Sequence, residues 1–132
     1  MADHLADLVA TMPFATSLGI TLDAAAKDEV VGRMAWAPDR TTLGGALHGG
    51  ALMAFADSVG AVCAYLNLPE GAGTATTGSA THFFRGVREG EVVATARPVH
   101  VGGTLVVVRT ELRDGQGRLV AETTATQAVL AR

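Results

Sequence analysis

Asp57 is the one acidic residue in the stretch HGGALMAFADSVGAVCAYL, which runs from His48 to Leu66 and opens on His48-Gly49-Gly50. An unpaired carboxylate buried in so apolar a segment would cost several kcal/mol or be forced to protonate, so its presence needs a reason. At the start of a helix, Gly49 and Gly50 would present bare backbone N–H groups at the positive end of the dipole, where they can polarise a carbonyl or hold an oxyanion. Glycine also leaves no side chain in front of those donors, so a bulky acyl group can approach. A carboxylate beside a carbonyl polarised in this way can attack it, forming an anhydride, or can activate water as a base. Acyl transfer is the chemistry to which these residue types point.

Asp57 follows the glycines by seven to eight residues, which is ~11–12 Å along a helix, too far to serve its own helix start. Two such helices packed antiparallel across a two-fold axis would bring Asp57 of one chain to Gly49 of the other, and composite sites in a dimer are therefore expected. The competing reading is a structural carboxylate that caps a loop or pairs with an arginine. On the helix His48 would point about 180° away from Asp57, which assigns it to positioning the helix start rather than to an intrachain dyad. His4, His82 and His100 show no metal-ligand spacing, so no metal is expected. Ser17, Ser58 and Ser79 lack the flanking glycines of a nucleophile elbow, and no glycine-rich phosphate loop occurs. Cys63 reads as a packed helix residue.

The elements that must position these residues follow from periodicity and turn chemistry. Leu5, Leu8, Val9 and Met12 fall at helical spacing over 3–12, with Pro13 as the stop. Residues 20–25 and 29–37 read as two strands of a hairpin, ended by Pro38. Residues 38–47 have turn chemistry, and 48–67, long, apolar and poor in β-branched residues, reads as one helix. Four strands are expected near 74–84, 91–101, 104–113 and 118–130, separated by Glu89-Gly90, Gly102-Gly103 and Asp114-Gly115-Gln116-Gly117. The alternation in 108–113 indicates one covered and one wet face. Together these predict an α+β domain whose antiparallel sheet wraps one long central helix.

A chain of 132 residues fits a single domain, 1–132. Its 48% hydrophobic and 17% charged composition excludes disorder and leaves more apolar surface than a small monomer hides, so an oligomer is expected. With a net charge of −3 and no basic stripe, a nucleic-acid partner is not expected. One cysteine allows no internal disulfide and suits the cytoplasm. The acidic N-terminus does not read as a signal peptide, and 51–66 is too short and interrupted to span a bilayer, so no membrane partner is expected.

With the acid nine residues after the histidine, HGGALMAFADSVGAVCAYL resembles the hot dog fold acyl-CoA thioesterases of the PaaI-like branch. That branch includes the phenylacetate-pathway, 4-hydroxybenzoyl-CoA and 1,4-dihydroxy-2-naphthoyl-CoA thioesterases. The later stretch REGEVVATARPVHVGGTLVVVRTELRDGQGRLVAETTATQAVL is similar to the family's remaining strands, and the resemblance covers about 35–130. It implies a sheet wrapped around the helix, dimers pairing their sheets edge to edge, and a homodimer at least, with a homotetramer expected. It also implies that Asp57 is the catalytic acid, that the Gly49 N–H polarises the thioester, and that His48 shapes the loop. Thr76 or Thr77 falls where some relatives place a hydroxyl near the attacking water. Thr42 departs from the Asn or Gln usual six residues before the histidine, and a hydroxyl cannot reproduce both amide roles. Ala61 stands where some relatives carry a hydroxyl.

Coenzyme A, as part of the substrate and with no separate cofactor, is implied in a groove at the subunit boundary. Gly50 would lie beside it, with Arg85 and Arg88 as phosphate contacts; a solvated loop is the alternative for the two arginines. Met53, Phe55, Val59 and Phe83 are either acyl-pocket lining or plain core. The implied activity is hydrolysis of an aromatic or medium-chain acyl-CoA. The alternatives are a hot dog protein that binds acyl-CoA without hydrolysing it, and a hydratase, whose Asp and His pair cannot be placed here.

Overall fold

A computed structural model describes residues 2–131. The chain opens with two short helices, α1 (Ala2–Ala10) and α2 (Pro13–Ser17). Pro13 does end α1, but it also sits in the first turn of α2, where its missing N–H costs nothing and its fixed φ suits a helix start. The hairpin β1 (Thr21–Ala25) and β2 (Val30–Ala35) follows, then a 3-10 turn at Pro38–Arg40 and the long helix α3 (Gly49–Leu66). Four strands complete the chain: β3 (Gly73–Phe83), β4 (Glu91–Val101), β5 (Leu105–Arg113) and β6 (Leu119–Leu130). They form one six-stranded antiparallel sheet in the order β1-β2-β4-β5-β6-β3.

α3 lies against the inner face of this sheet, the architecture that the hot dog resemblance implied. Its buried residues include Leu52, Phe55, Val59, Val62 and Cys63, which meet Val92, Ala94, Val106, Val108 and Leu112 of β4 and β5 in one core. Each large side chain so buried contributes about 1.5–3 kcal/mol. Helix and sheet approach closely at Gly32 of β2, where a Cβ would stand 2.8 Å from a Val59 methyl. The buried Ser58 hydroxyl donates to the Ala54 carbonyl, 2.7 Å away, so the core carries no unsatisfied oxygen there. Asn67 ends the helix: its Nδ2 donates to the carbonyls of Cys63 (2.9 Å) and Lys27 (2.8 Å). By length and hydropathy α3 could cross a bilayer, but half of it is buried inside the protein.

The two edges of the sheet differ. β1 is covered by α1, whereas β3 is an 11-residue edge strand, GTATTGSATHF, exposed along nearly its whole length. It carries no Lys, Glu, Asp or Pro, the residues that usually block strand addition at an edge. β3 pairs with β6 in a register that shifts between Thr76 and Gly78, leaving Thr77 as the extra residue of a bulge.

Candidate active site

The start of α3 is fixed from three sides. The Leu47 N–H donates to the Val87 carbonyl and the His48 N–H to the Arg40 carbonyl, each at 2.8 Å. Trp36 Nε1 donates to the Gly45 carbonyl at 2.9 Å, pinning the loop before the helix. His48 is the N-cap: its backbone is extended (φ −62°, ψ 134°) and its Nδ1 accepts from the Gly50 N–H at 2.7 Å. A Cβ at Gly50 would stand 2.9 Å from that nitrogen, so glycine there makes room for the capping ring.

One donor is thereby spent and one left. The Gly50 N–H belongs to His48, the N–H groups of Ala51 and Leu52 both bond the His48 carbonyl, and Gly49 N–H has no acceptor among the described residues. A groove of about 360 Å³ lies against it, lined by Leu47, Gly49, Leu52, Phe83, Phe84, Arg85 and Gly86. Phe83, 48% exposed, borders Gly49 closely: a Cβ there would stand 3.4 Å from the ring.

Asp57 is exposed in the protomer, so the burial cost that made it conspicuous in the sequence is not incurred by a single chain. No cation pairs with it among the described residues. It shares an open face of α3 with Met53, Ala61 and Tyr65, at the helical spacing that puts one side chain above another. This face borders the β3 edge, because Thr76 Oγ1 lies 3.5 Å from Asp57 Oδ1. Thr76 Oγ1 in turn accepts from Gln127 Nε2 at 2.8 Å, while Gln127 Oε1 is 3.2 Å from Thr74 Oγ1.

Gln127 did not stand out in the sequence. The available signal was a large polar residue at an inward position of the alternating segment Ala125, Gln127, Val129, and its reason, Thr76, lies on another strand 51 residues away.

The remaining residues separate into two groups. Ala61 is one turn beyond Asp57 and lines an apolar groove of about 320 Å³ with Leu8, Met12, Val62, Tyr65 and Thr74. Thr77, the bulge residue, turns its hydroxyl to the Thr126 carbonyl at 3.3 Å. Arg85 stays exposed beside the Gly49 groove. Arg88 Nε reaches the Gly44 carbonyl at 3.4 Å and borders a second groove, about 330 Å³, formed with Gly86, Asp114, Gln116 and Arg118. Gly86 lines both grooves. Thr42 is exposed in the loop, its N–H bonded to the Ala46 carbonyl at 2.8 Å. Phe55 and Val59 are fully buried and belong to the core, whereas Met53 is 45% exposed. Burial pushes the Cys63 thiol up to about 11, with the Asp28 carboxylate adding to the effect, so it is inert at neutral pH.

Comparison with known proteins agrees with this architecture. The model of the thioesterase superfamily matches residues 44–121. The 1,4-dihydroxy-2-naphthoyl-CoA hydrolase of Escherichia coli K12 is 34% identical over 86 residues, 65% of this chain and 63% of that protein. A thioesterase crystal structure from Haemophilus influenzae superposes with a TM-score of 0.90 at 26% identity, covering 96% of this chain and 90% of that one. A mutant thioesterase from Pseudomonas aeruginosa gives 0.90 at 28% identity, with 96% and 93% covered. The chain spans 57%, 63% and 64% of the length of the first curated relatives it matches. With more than half of its residues matched by the family model and the fold shared end to end with solved thioesterases, the chain belongs to the thioesterase superfamily.

Proposed function

We propose that the protein is an acyl-CoA thioesterase that hydrolyses an aromatic or medium-chain acyl-CoA to the free acid and coenzyme A. The observation that carries this reading is the division of donors at the start of α3. His48 takes the Gly50 N–H, and the Gly49 N–H is left facing a groove at the positive end of an 18-residue helix. Such a donor is worth more to an oxyanion than to a ground-state carbonyl, which is what accelerates acyl transfer.

Asp57 supplies the other half of the chemistry. As a base it takes a proton from water while the hydroxide adds to the thioester carbon and the carbonyl oxygen becomes an oxyanion at Gly49 N–H. Collapse then breaks the C–S bond, and the thiolate recovers the proton from Asp57. As a nucleophile it forms an anhydride that water cleaves, again giving one acid and one thiol.

Asp57 and Gly49 of one chain are separated by about two turns of helix, so the site is shared between chains. The open face of α3 and the unprotected strand β3 lie on the same side of the molecule. A two-fold pairing of β3 strands therefore covers both and sets the Asp57 of each chain near the Gly49 of the other. A homodimer is the smallest unit consistent with this reading, and a homotetramer is proposed as the assembled form.

The two grooves that meet at Gly86 provide a path for coenzyme A. The pantetheine arm would lie by Phe83 and Phe84, and the phosphates by Arg85 and Arg88. The apolar groove beyond Ala61 suits the acyl group, and an aromatic acyl group matches the named substrate of the Escherichia coli relative. This chemistry needs no cofactor, and the cytoplasm is the proposed compartment.

The test is thiol release from a panel of aromatic and straight-chain acyl-CoAs, with Asp57→Asn alongside. Turnover in the wild type that falls by about 100-fold or more in the variant, with substrate still bound, supports the reading. Binding by both proteins with release by neither overturns it in favour of a carrier that does not hydrolyse its ligand.

A further inference from the structure

We infer that Gln127 is a positioning residue for Asp57, acting through the Thr76 hydroxyl; the inference rests on Asp57 being the reacting carboxylate. Gln127 is 1% exposed, on the inner face of β6 between Ala125 and Val129. An aliphatic side chain would fill that place without desolvating an amide, and a buried amide is tolerable only if its hydrogen bonds are made. They are made to two threonines of the neighbouring strand. Thr74 Oγ1 lies 3.2 Å from the amide oxygen and 3.0 Å from the Ala128 carbonyl, and the amide nitrogen donates to Thr76 Oγ1 at 2.8 Å.

Direction follows from counting protons. A threonine hydroxyl has one proton to give and two lone pairs. With one lone pair taken by the Gln127 amide, the Thr76 proton is free to point at another acceptor, and Asp57 Oδ1 stands 3.5 Å away, longer than a formed O–H···O bond but a gap that a small side-chain rotation closes. The order of donation is Gln127 to Thr76 to Asp57. Thr76 and Gln127 are directly opposed in the β3–β6 ladder, one residue before the bulge at Thr77, and bulges re-aim side chains in this way. An exposed carboxylate on a helix would otherwise sample several rotamers. The chain of donors holds one oxygen of Asp57 toward the sheet and leaves the other to face the substrate, which is an orientational contribution to the rate.

The variants Gln127→Met, Thr76→Val and Thr76→Ser, with the double variant Gln127→Met/Thr76→Val, test the inference in the full-length protein. Thiol release should show kcat down about tenfold for Gln127→Met, the scale of one hydrogen bond, with KM within about twofold. The double variant should be no slower than Thr76→Val alone, because both changes break one chain, and Thr76→Ser should rescue most of what Thr76→Val loses. A purely structural role would instead move the melting temperature and give multiplicative losses.

A second readout needs no turnover. The chain has two glutamines and one asparagine, so the Gln127 side-chain NH₂ resonances are assignable. They should shift on Asp57→Asn in the wild-type background and stay fixed on Asp57→Asn in the Thr76→Val background. Unchanged kcat in Gln127→Met, multiplicative losses, or an NH₂ signal blind to Asp57 overturns the inference. If the wild type releases no thiol, the proposed activity has failed, and the resonance experiment still decides whether Gln127 is coupled to Asp57.

Discussion

At the scale of the residue, the proposed mechanism turns on the amide hydrogen of Gly49, and its environment permits an unusually clean deletion. Gly49 is the first residue of α3, the helical position where proline is best tolerated. His48 before it is already extended (φ −62°, ψ 134°), as the residue preceding a proline must be. Gly49→Pro should therefore remove the free donor, leave the helix and the His48 cap standing, and reduce kcat about 100- to 1000-fold. Circular dichroism and thiol release on the same sample check both halves, and retained turnover would remove Gly49 from the mechanism. His48 itself is occupied in capping, so its ring nitrogen Nδ1 is not free to act as a base. The sequence offered these candidates because their signals are local: a histidine cap, two glycines and an acid at fixed offsets along one helix. Gln127 escaped because its meaning depends on a strand pairing formed across 51 residues.

At the scale of the element, the strand that closes one edge of the sheet is paired on one side only. β3 offers a long run of unprotected backbone, and its side chains alternate: Thr81 faces inward to share a hydrogen bond with Thr123, at 2.8 Å, and Ala80 faces outward opposite Thr124. Ala80→Lys puts a charge on the outward side, away from Asp57, where two paired strands would bring like charges together. If the proposed dimer forms through this edge, sedimentation velocity should show a dimer for the wild type and monomer for the variant, with specific activity falling on dilution. A variant that turns over at full rate as a monomer would refute the shared site. The helix and strand limits were readable because turn pairs such as Gly102-Gly103 and Asp114-Gly115 punctuate the chain, and α3 was expected over 48–67 and found at Gly49–Leu66. α2 was not foreseen, since the proline that ends one helix gives no local sign that it also begins the next.

At the scale of the whole molecule, a site built from the acid of one chain and the amide of another gives the dimer two sites, each crossing the boundary. Two inactive variants, Asp57→Asn and Gly49→Pro, should then complement each other. Mixed dimers would carry one site with both lesions and one with neither, so unfolding and refolding an equal mixture should restore about a quarter of wild-type activity. Sites confined to one chain would restore none. The exposure of Asp57 in the protomer is compatible with such an arrangement, in which a second chain would supply the rest of its surroundings. Trp36, the only tryptophan, is tied by its indole N–H to the Gly45 carbonyl, in the loop that carries Thr42 and leads into the helix start. The protein thus contains a single indole moored to the threshold of its proposed catalytic cleft, and ligand arrival can be timed from its emission, excited selectively over that of Tyr65, without a label.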